Sequence, residues 1–163
     1  MQHLKTTLLA WPIITVAAML ISFLTKELAA EFFNITLKSQ ESVHFFLKMM
    51  VGWNAQFLKF LALVVVAAPL AEEIIFRYLF WKLPAPSKPY LAAIPSSILF
   101  TAAHYFQNPW PDNAFIALFF FGMAQCWLYK RTNYLWCPIL SHTLFNLTNL
   151  AFLLCIPEKY LVL

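Results

Sequence analysis

The chain has 163 residues, of which 62% are hydrophobic and only 11% charged, and its mean hydropathy is +0.71. Soluble domains carry about a quarter of their residues as charges, so this composition excludes a soluble globular protein, and the length suits one membrane domain spanning residues 1–163. The formal net charge of +4 comes from Lys and Arg scattered at the ends of apolar runs, as membrane-surface anchors are, which argues against a nucleic-acid partner.

Residues 6 to 25 are free of charge and long enough to cross a bilayer core of about 30 Å. This run exceeds the apolar stretch of a cleaved secretory signal and is expected to be retained as a first span. Residues 26 to 56 mix Lys26, Glu27, Glu31, Lys38, Glu41 and Lys48 with Phe32, Phe33, Phe45, Phe46 and Trp53, which predicts an amphipathic segment lying in the membrane interface. A second span is predicted over residues 57 to 83, ended by Pro84, Pro86 and Pro89. A third covers 90 to 106 and is followed by the loop NPWPDN. The fourth covers 114 to 129 and closes on Lys130 and Arg131, and a fifth runs from 134 to 156 and stops at Pro157. The expected fold is an all-α, multi-pass transmembrane helical bundle of about five spans plus the interfacial segment. Its short flanks carry Lys5, Lys82, Lys88, Lys130 and Arg131 on one side with no acid, which predicts a cytoplasmic N-terminus.

Against that background the polar residues stand out. Glu72 and Glu73 sit side by side in LALVVVAAPLAEEIIFRYLFW, with Arg77 one turn on, and ionisable groups at bilayer depth are costly to insert. In a regular helix Glu73 and Arg77 form an i, i+4 pair, while Glu72 points about 100 degrees away and is left to face a cavity as a base. In the third span Phe100 and His104 are one turn apart, with Ser97 a further turn back. In the fifth, His142, Asn146 and Asn149 make a polar stripe. Such stripes also serve as hydrogen-bonded glue between helices, and the Glu73–Arg77 pair reads equally as a structural ion pair. Glu72, His104, His142 and Asn146 nevertheless lie in the middle portions of their apolar runs, so they can meet at one depth. Pro69 and Pro138 precede two of these groups closely, each bending its helix and freeing a carbonyl.

A carboxylate with an imidazole can hold and deprotonate water, and a second imidazole with an amide N–H can donate to a developing oxyanion. This describes direct hydrolysis of a carbonyl. Zinc held by Glu72, His104 and His142 is the alternative, although the HExxH signature is absent and Asn146 suits an oxyanion better than zinc. Cys126, Cys137 and Cys155 lie in apolar runs without C-x-x-C spacing and are expected to be free thiols packed as small hydrophobes. With two glycines in the chain, Gly52 and Gly122, a Gly-rich phosphate cradle is excluded.

Three motifs occur in order on successive membrane segments. EEIIFR, from Glu72 to Arg77, is similar to EExxxR; FTAAH, from Phe100 to His104, to FxxxH; and HTLFN, from His142 to Asn146, to HxxxN. Together they resemble the CAAX protease and bacteriocin-processing (Abi) family, to which the Ras-converting CAAX endopeptidase belongs, with a family-like core over about residues 57 to 156. The resemblance implies a glutamate-dependent intramembrane endopeptidase without a metal or other cofactor. Its catalytic residues would be Glu72 and His104, which activate water, and His142 and Asn146, which stabilise the oxyanion. Glu73, Arg77 and Phe100 would be supporting residues. The implied partners are the lipid bilayer and a membrane-tethered protein or peptide substrate, and the implied location is the plasma membrane of a prokaryote. Two readings of other classes use the same polar residues: a proton-coupled carrier or channel subunit, and a non-catalytic membrane immunity or adaptor protein.

Overall fold

The computed structural model describes residues 2–37, 55–84, 87–105 and 114–155. These residues form an all-α fold of five helices: α1 (Gln2–Phe33), α2 (Ala55–Ala62 continuing through Leu63–Ala67 and Ala68–Glu72 to Glu73–Lys82), α3 (Pro89–His104), α4 (Phe115–Thr132) and α5 (Trp136–Cys155).

The first helix departs from the sequence expectation. Residues 26 to 33 belong to α1 and do not begin a separate interfacial segment. No helix breaker separates Thr25 from Phe33, and Ala29 and Ala30 propagate the helix until Asn34, at φ 53°, turns the chain out of it. The remainder of the predicted interfacial stretch, residues 38 to 54, lies outside the described residues. Two helices, Gln2–Phe33 and Trp136–Cys155, are long and apolar enough by themselves to cross a bilayer, with mean hydropathy 2.1 and 1.3.

Helix α4 is the centre of the bundle and packs against α1, α2, α3 and α5. Small residues permit this. Gly122 of α4 meets α3 so closely that a Cβ placed there would lie 2.9 Å from the Ser97 Cβ and 3.2 Å from its Cα. On α1, Thr7, Ala10, Thr15 and Ala18 are buried, and the two threonine hydroxyls donate to the carbonyls of His3 and Trp11, one turn back, so that neither enters the contact unsatisfied. Ala10 and Ile14 thereby join Phe76, Phe100, Phe121, Leu128 and Cys137 in one core cluster.

One end of the bundle is tied by polar and aromatic contacts. His3 and Tyr134 rings lie 4.5 Å apart, Trp81 Nε1 donates to the Pro89 carbonyl at 2.7 Å, and Lys82 Nζ donates to Asn133 Oδ1 while lying over the Tyr129 ring. The starts of α1, α3 and α5 and the ends of α2 and α4 therefore share that end. Asn133 closes α4 in the left-handed region, φ 60°, its N–H donating to the Tyr129 carbonyl.

The burial pattern inverts that of a soluble protein. Leu9, Ile13, Phe23 and Phe32 are exposed on α1, while Glu73, Arg77, Ser97 and Gln125 are fully buried. Charges are placed inside and hydrocarbon outside, as a lipid environment requires. Among the cysteines, Cys126 and Cys137 are buried free thiols as expected, whereas Cys155 is exposed.

Candidate active site

Helix α2 does not keep the regular winding on which the sequence argument relied. It contains π turns at Leu63–Ala67 and Glu73–Lys82, the second beginning at the acidic pair. A π turn has i→i+5 hydrogen bonds and more residues per turn than an α-helix, so neighbouring side chains diverge less around the axis. The two glutamates accordingly reach the same imidazole.

His142 of α5 is that imidazole. Its Nδ1 lies 2.9 Å from Glu73 Oε1, and its Nε2 is 3.7 Å from Glu72 Oε2. The expected i, i+4 pair is present, with Arg77 Nε 3.2 Å from Glu73 Oε2, and Glu73 has a second partner that the spacing did not offer, His142, on its other oxygen. Carboxylates accept, so Nδ1 of His142 donates to Glu73, and its Nε2 is the nitrogen turned to Glu72. The two carboxylates also differ in access. The Glu73 side chain is 0% exposed and that of Glu72 is 26% exposed.

Phe100 of α3 joins the motifs. Its fully buried ring lies 4.7 Å from the His104 ring and 5.9 Å from the His142 ring, and the Arg77 guanidinium carbon sits 4.5 Å from its centroid. The guanidinium is completely buried, and its Nη1 and Nη2 find no hydrogen-bond partner among the described residues. The ring face thus supplies cation–π attraction to a charge that Glu73 contacts from one side only.

His104, at the end of α3, is half-buried, and its Nδ1 donates to the Phe100 carbonyl at 2.9 Å. This bond fixes the ring by one nitrogen. Asn146, one turn beyond His142, donates through Nδ2 to the Val64 carbonyl of α2 at 2.8 Å.

The structure therefore brings Glu72, Glu73, Arg77 and His142 into one cluster with Phe100, packs His104 on the same Phe100 ring, and ties Asn146 to α2. Among the described residues no group of three His, Cys, Asp or Glu is arranged to hold a metal ion. Glu72, His104 and His142, the set considered for zinc, are thus not gathered into such a centre. Sequence reasoning missed Phe121, whose ring lies 4.8 Å from His142, and the buried bond from Gln125 Nε2 to Ser141 Oγ at 3.3 Å beside it. The available signal was Gln125, a polar residue in the middle of an apolar helix.

The family model described as Type II CAAX prenyl endopeptidase Rce1-like matches residues 54–148, a span that contains all three motifs. No curated protein and no solved structure matches the chain. Type II CAAX endopeptidases are peptide hydrolases acting on membrane-associated substrates, and the apolar helices here accord with a membrane protein.

Proposed function

The chain belongs to the family of type II CAAX prenyl endopeptidases of the Rce1-like kind, and we propose that it is a glutamic-type intramembrane endopeptidase that hydrolyses a peptide bond by activated water. The observation that carries this reading is the unequal access of the two carboxylates at His142: Glu73 is fully buried, and Glu72 is partly exposed. A carboxylate with access can take a proton from water, and Glu72 is that base. The 3.7 Å between Glu72 Oε2 and His142 Nε2 exceeds a direct hydrogen bond, so the imidazole does not tie up the Glu72 carboxylate.

In this mechanism Glu72 removes the proton as water attacks the scissile carbonyl, with His104 assisting through Nε2. His142, when protonated at Nε2, donates to the oxyanion while Glu73 holds its other nitrogen. Asn146 has a second N–H beyond the one given to Val64 and supplies a further donor. The proton held by Glu72 then passes to the leaving amine. A general base commonly contributes about 10² to 10⁴ in rate, and loss of one oxyanion donor costs about 10² to 10³. The set operates without a metal cofactor, because each side chain has a role in handling water or charge.

We place the whole chain as one multi-pass domain of about five spans in a prokaryotic plasma membrane. The bundle end bearing Lys5, Lys82, Lys88, Lys130 and Arg131 would face the cytoplasm. The substrate is a membrane-tethered protein or peptide. The testing experiment incubates the purified chain in vesicles with prenylated and unprenylated peptides of one sequence and analyses intact masses. Shortened peptide from either supports the endopeptidase reading, and the ratio reports whether the lipid is recognised. Proton-dependent solute flux into the vesicles, with every peptide intact, would establish a carrier in its place.

A further inference from the structure

Proline at position 69 opens a carbonyl that the site uses. Within the π turn Leu63–Ala67, the Ala68 N–H donates to the Leu63 carbonyl, the i→i+5 pattern. By the same register the Val64 carbonyl would accept from residue 69. That residue is Pro69, which has no N–H. The Val64 carbonyl is therefore left without its backbone donor, and the Asn146 side-chain amide reaches it from α5 at 2.8 Å. In an apolar interior an unsatisfied carbonyl is costly, so the pairing is favoured on both sides: the carbonyl requires a donor, and the amide requires an acceptor.

The consequence concerns His142. Asn146 and His142 are one turn apart on α5, and their partners on α2, Val64 and Glu73, bracket Glu72. A single bond between two helices leaves one free to rotate against the other. Two bonds at separate points fix rotation and register together. We propose that Pro69 is a positioning residue: by withholding an N–H it reserves the Val64 carbonyl for Asn146, and this second tie holds the His142 imidazole in register with Glu72 and Glu73. The effect on turnover rests on the peptidase reading, whereas the coupling between positions 69 and 146 does not.

The test is a double-mutant cycle of wild type, Pro69→Ala, Asn146→Ala and the double variant, purified in detergent. Alanine at 69 restores an N–H that can fill the Val64 carbonyl. The Asn146→Ala change should therefore lower the melting temperature markedly in the chain with Pro69 and much less in the Pro69→Ala background, the non-additivity expected of residues sharing a partner. Equal losses in both backgrounds overturn the proposal. Pro69→Ser provides the same N–H with a different side chain and is run in parallel. Failure of both position-69 variants to fold would also overturn it, because the added N–H should only take over a carbonyl that Asn146 otherwise fills. With a cleavable peptide in hand, the loss of kcat caused by Asn146→Ala should be partly recovered in the Pro69→Ala background with KM unmoved. The same kcat loss in both backgrounds would reduce Asn146 to an oxyanion donor and overturn the positioning role while leaving the peptidase intact. A wild-type chain that cleaves no peptide would count against the peptidase reading alone, and the melting comparison then decides this proposal by itself.

Discussion

His142 Nδ1 lies 2.9 Å from Glu73 Oε1, so the second carboxylate of the acidic pair belongs to the histidine of the last helix as much as to the arginine of its own. Three buried ionisable groups from two helices therefore stand or fall together. Glu73→Gln keeps the side-chain shape but leaves Arg77 without its anion, and removing one member of a buried pair costs about 3 to 5 kcal/mol. The expected outcome is a strongly lowered melting temperature and poor recovery of the purified protein. A Glu73→Gln chain that melts with the wild type would contradict the network.

Arg77 should not tolerate lysine. Its flat guanidinium lies 4.5 Å from the Phe100 centroid while its Nε faces Glu73, and a lysine ammonium cannot do both with one compact charge. Arg77→Lys is expected to lose the stacking component, about 0.5 to 2 kcal/mol, and Phe100→Leu to lose a similar amount. Because both changes remove the same contact, the double variant should be less destabilised than the sum. Additive melting shifts would show that the ring and the guanidinium act independently.

The packing of α3 on α4 gives a separate test away from the charges. Gly122→Ala would put a Cβ 2.9 Å from the Ser97 Cβ, and overpacking of this kind costs about 1 to 3 kcal/mol. Ser97→Ala should not rescue it, since the clash is with Cβ and Cα as well as with the hydroxyl. Ser97→Gly in the same chain should recover part of the stability. Rescue by Ser97→Ala equal to that by Ser97→Gly would assign the crowding to the hydroxyl alone.

The sequence made the helices legible because their punctuation is strong. Charged or proline-bearing stretches separate four of the five, and the observed ends of α2 to α5 fall within three residues of the expected ones. The interfacial segment was misjudged at its start because residues 26 to 33 have mixed polarity without any breaker, and polarity alone does not end a helix. Within the site, motif spacing singled out Glu72, Glu73, Arg77, Phe100, His104, His142 and Asn146 and gave the Glu73–Arg77 pair, but not the His142 imidazole that both carboxylates face. That reading assumed a regular helix. The bonds of His142 to Glu73 and of Asn146 to Val64 join residues 69 and 82 positions apart and leave no local trace in the sequence, and neither does the π winding of Leu63–Ala67 and Glu73–Lys82. Phe121 was invisible for a related reason: in an α4 already rich in phenylalanine, nothing marks the one whose ring meets His142.

Metal dependence gives a further prediction. The proposed chemistry gives Glu72, His104, His142 and Asn146 each a role in handling water or charge and calls on no metal. Dialysis against a strong chelator is expected to leave peptide turnover unchanged. Loss of activity with the chelator, restored in step with added stoichiometric zinc, would reassign Glu72 and the histidines as ligands.

The central claim is that Glu72 is the base, and the most direct measurement compares turnover of one membrane-tethered peptide by wild type and Glu72→Gln, both shown to be folded by their melting temperatures. Glutamine keeps the shape but cannot take the proton of water, and loss of a general base typically lowers rate by about 10² to 10⁴. The account predicts a wild-type melting curve with turnover reduced by that factor. A folded Glu72→Gln chain that cleaves at the wild-type rate would contradict it.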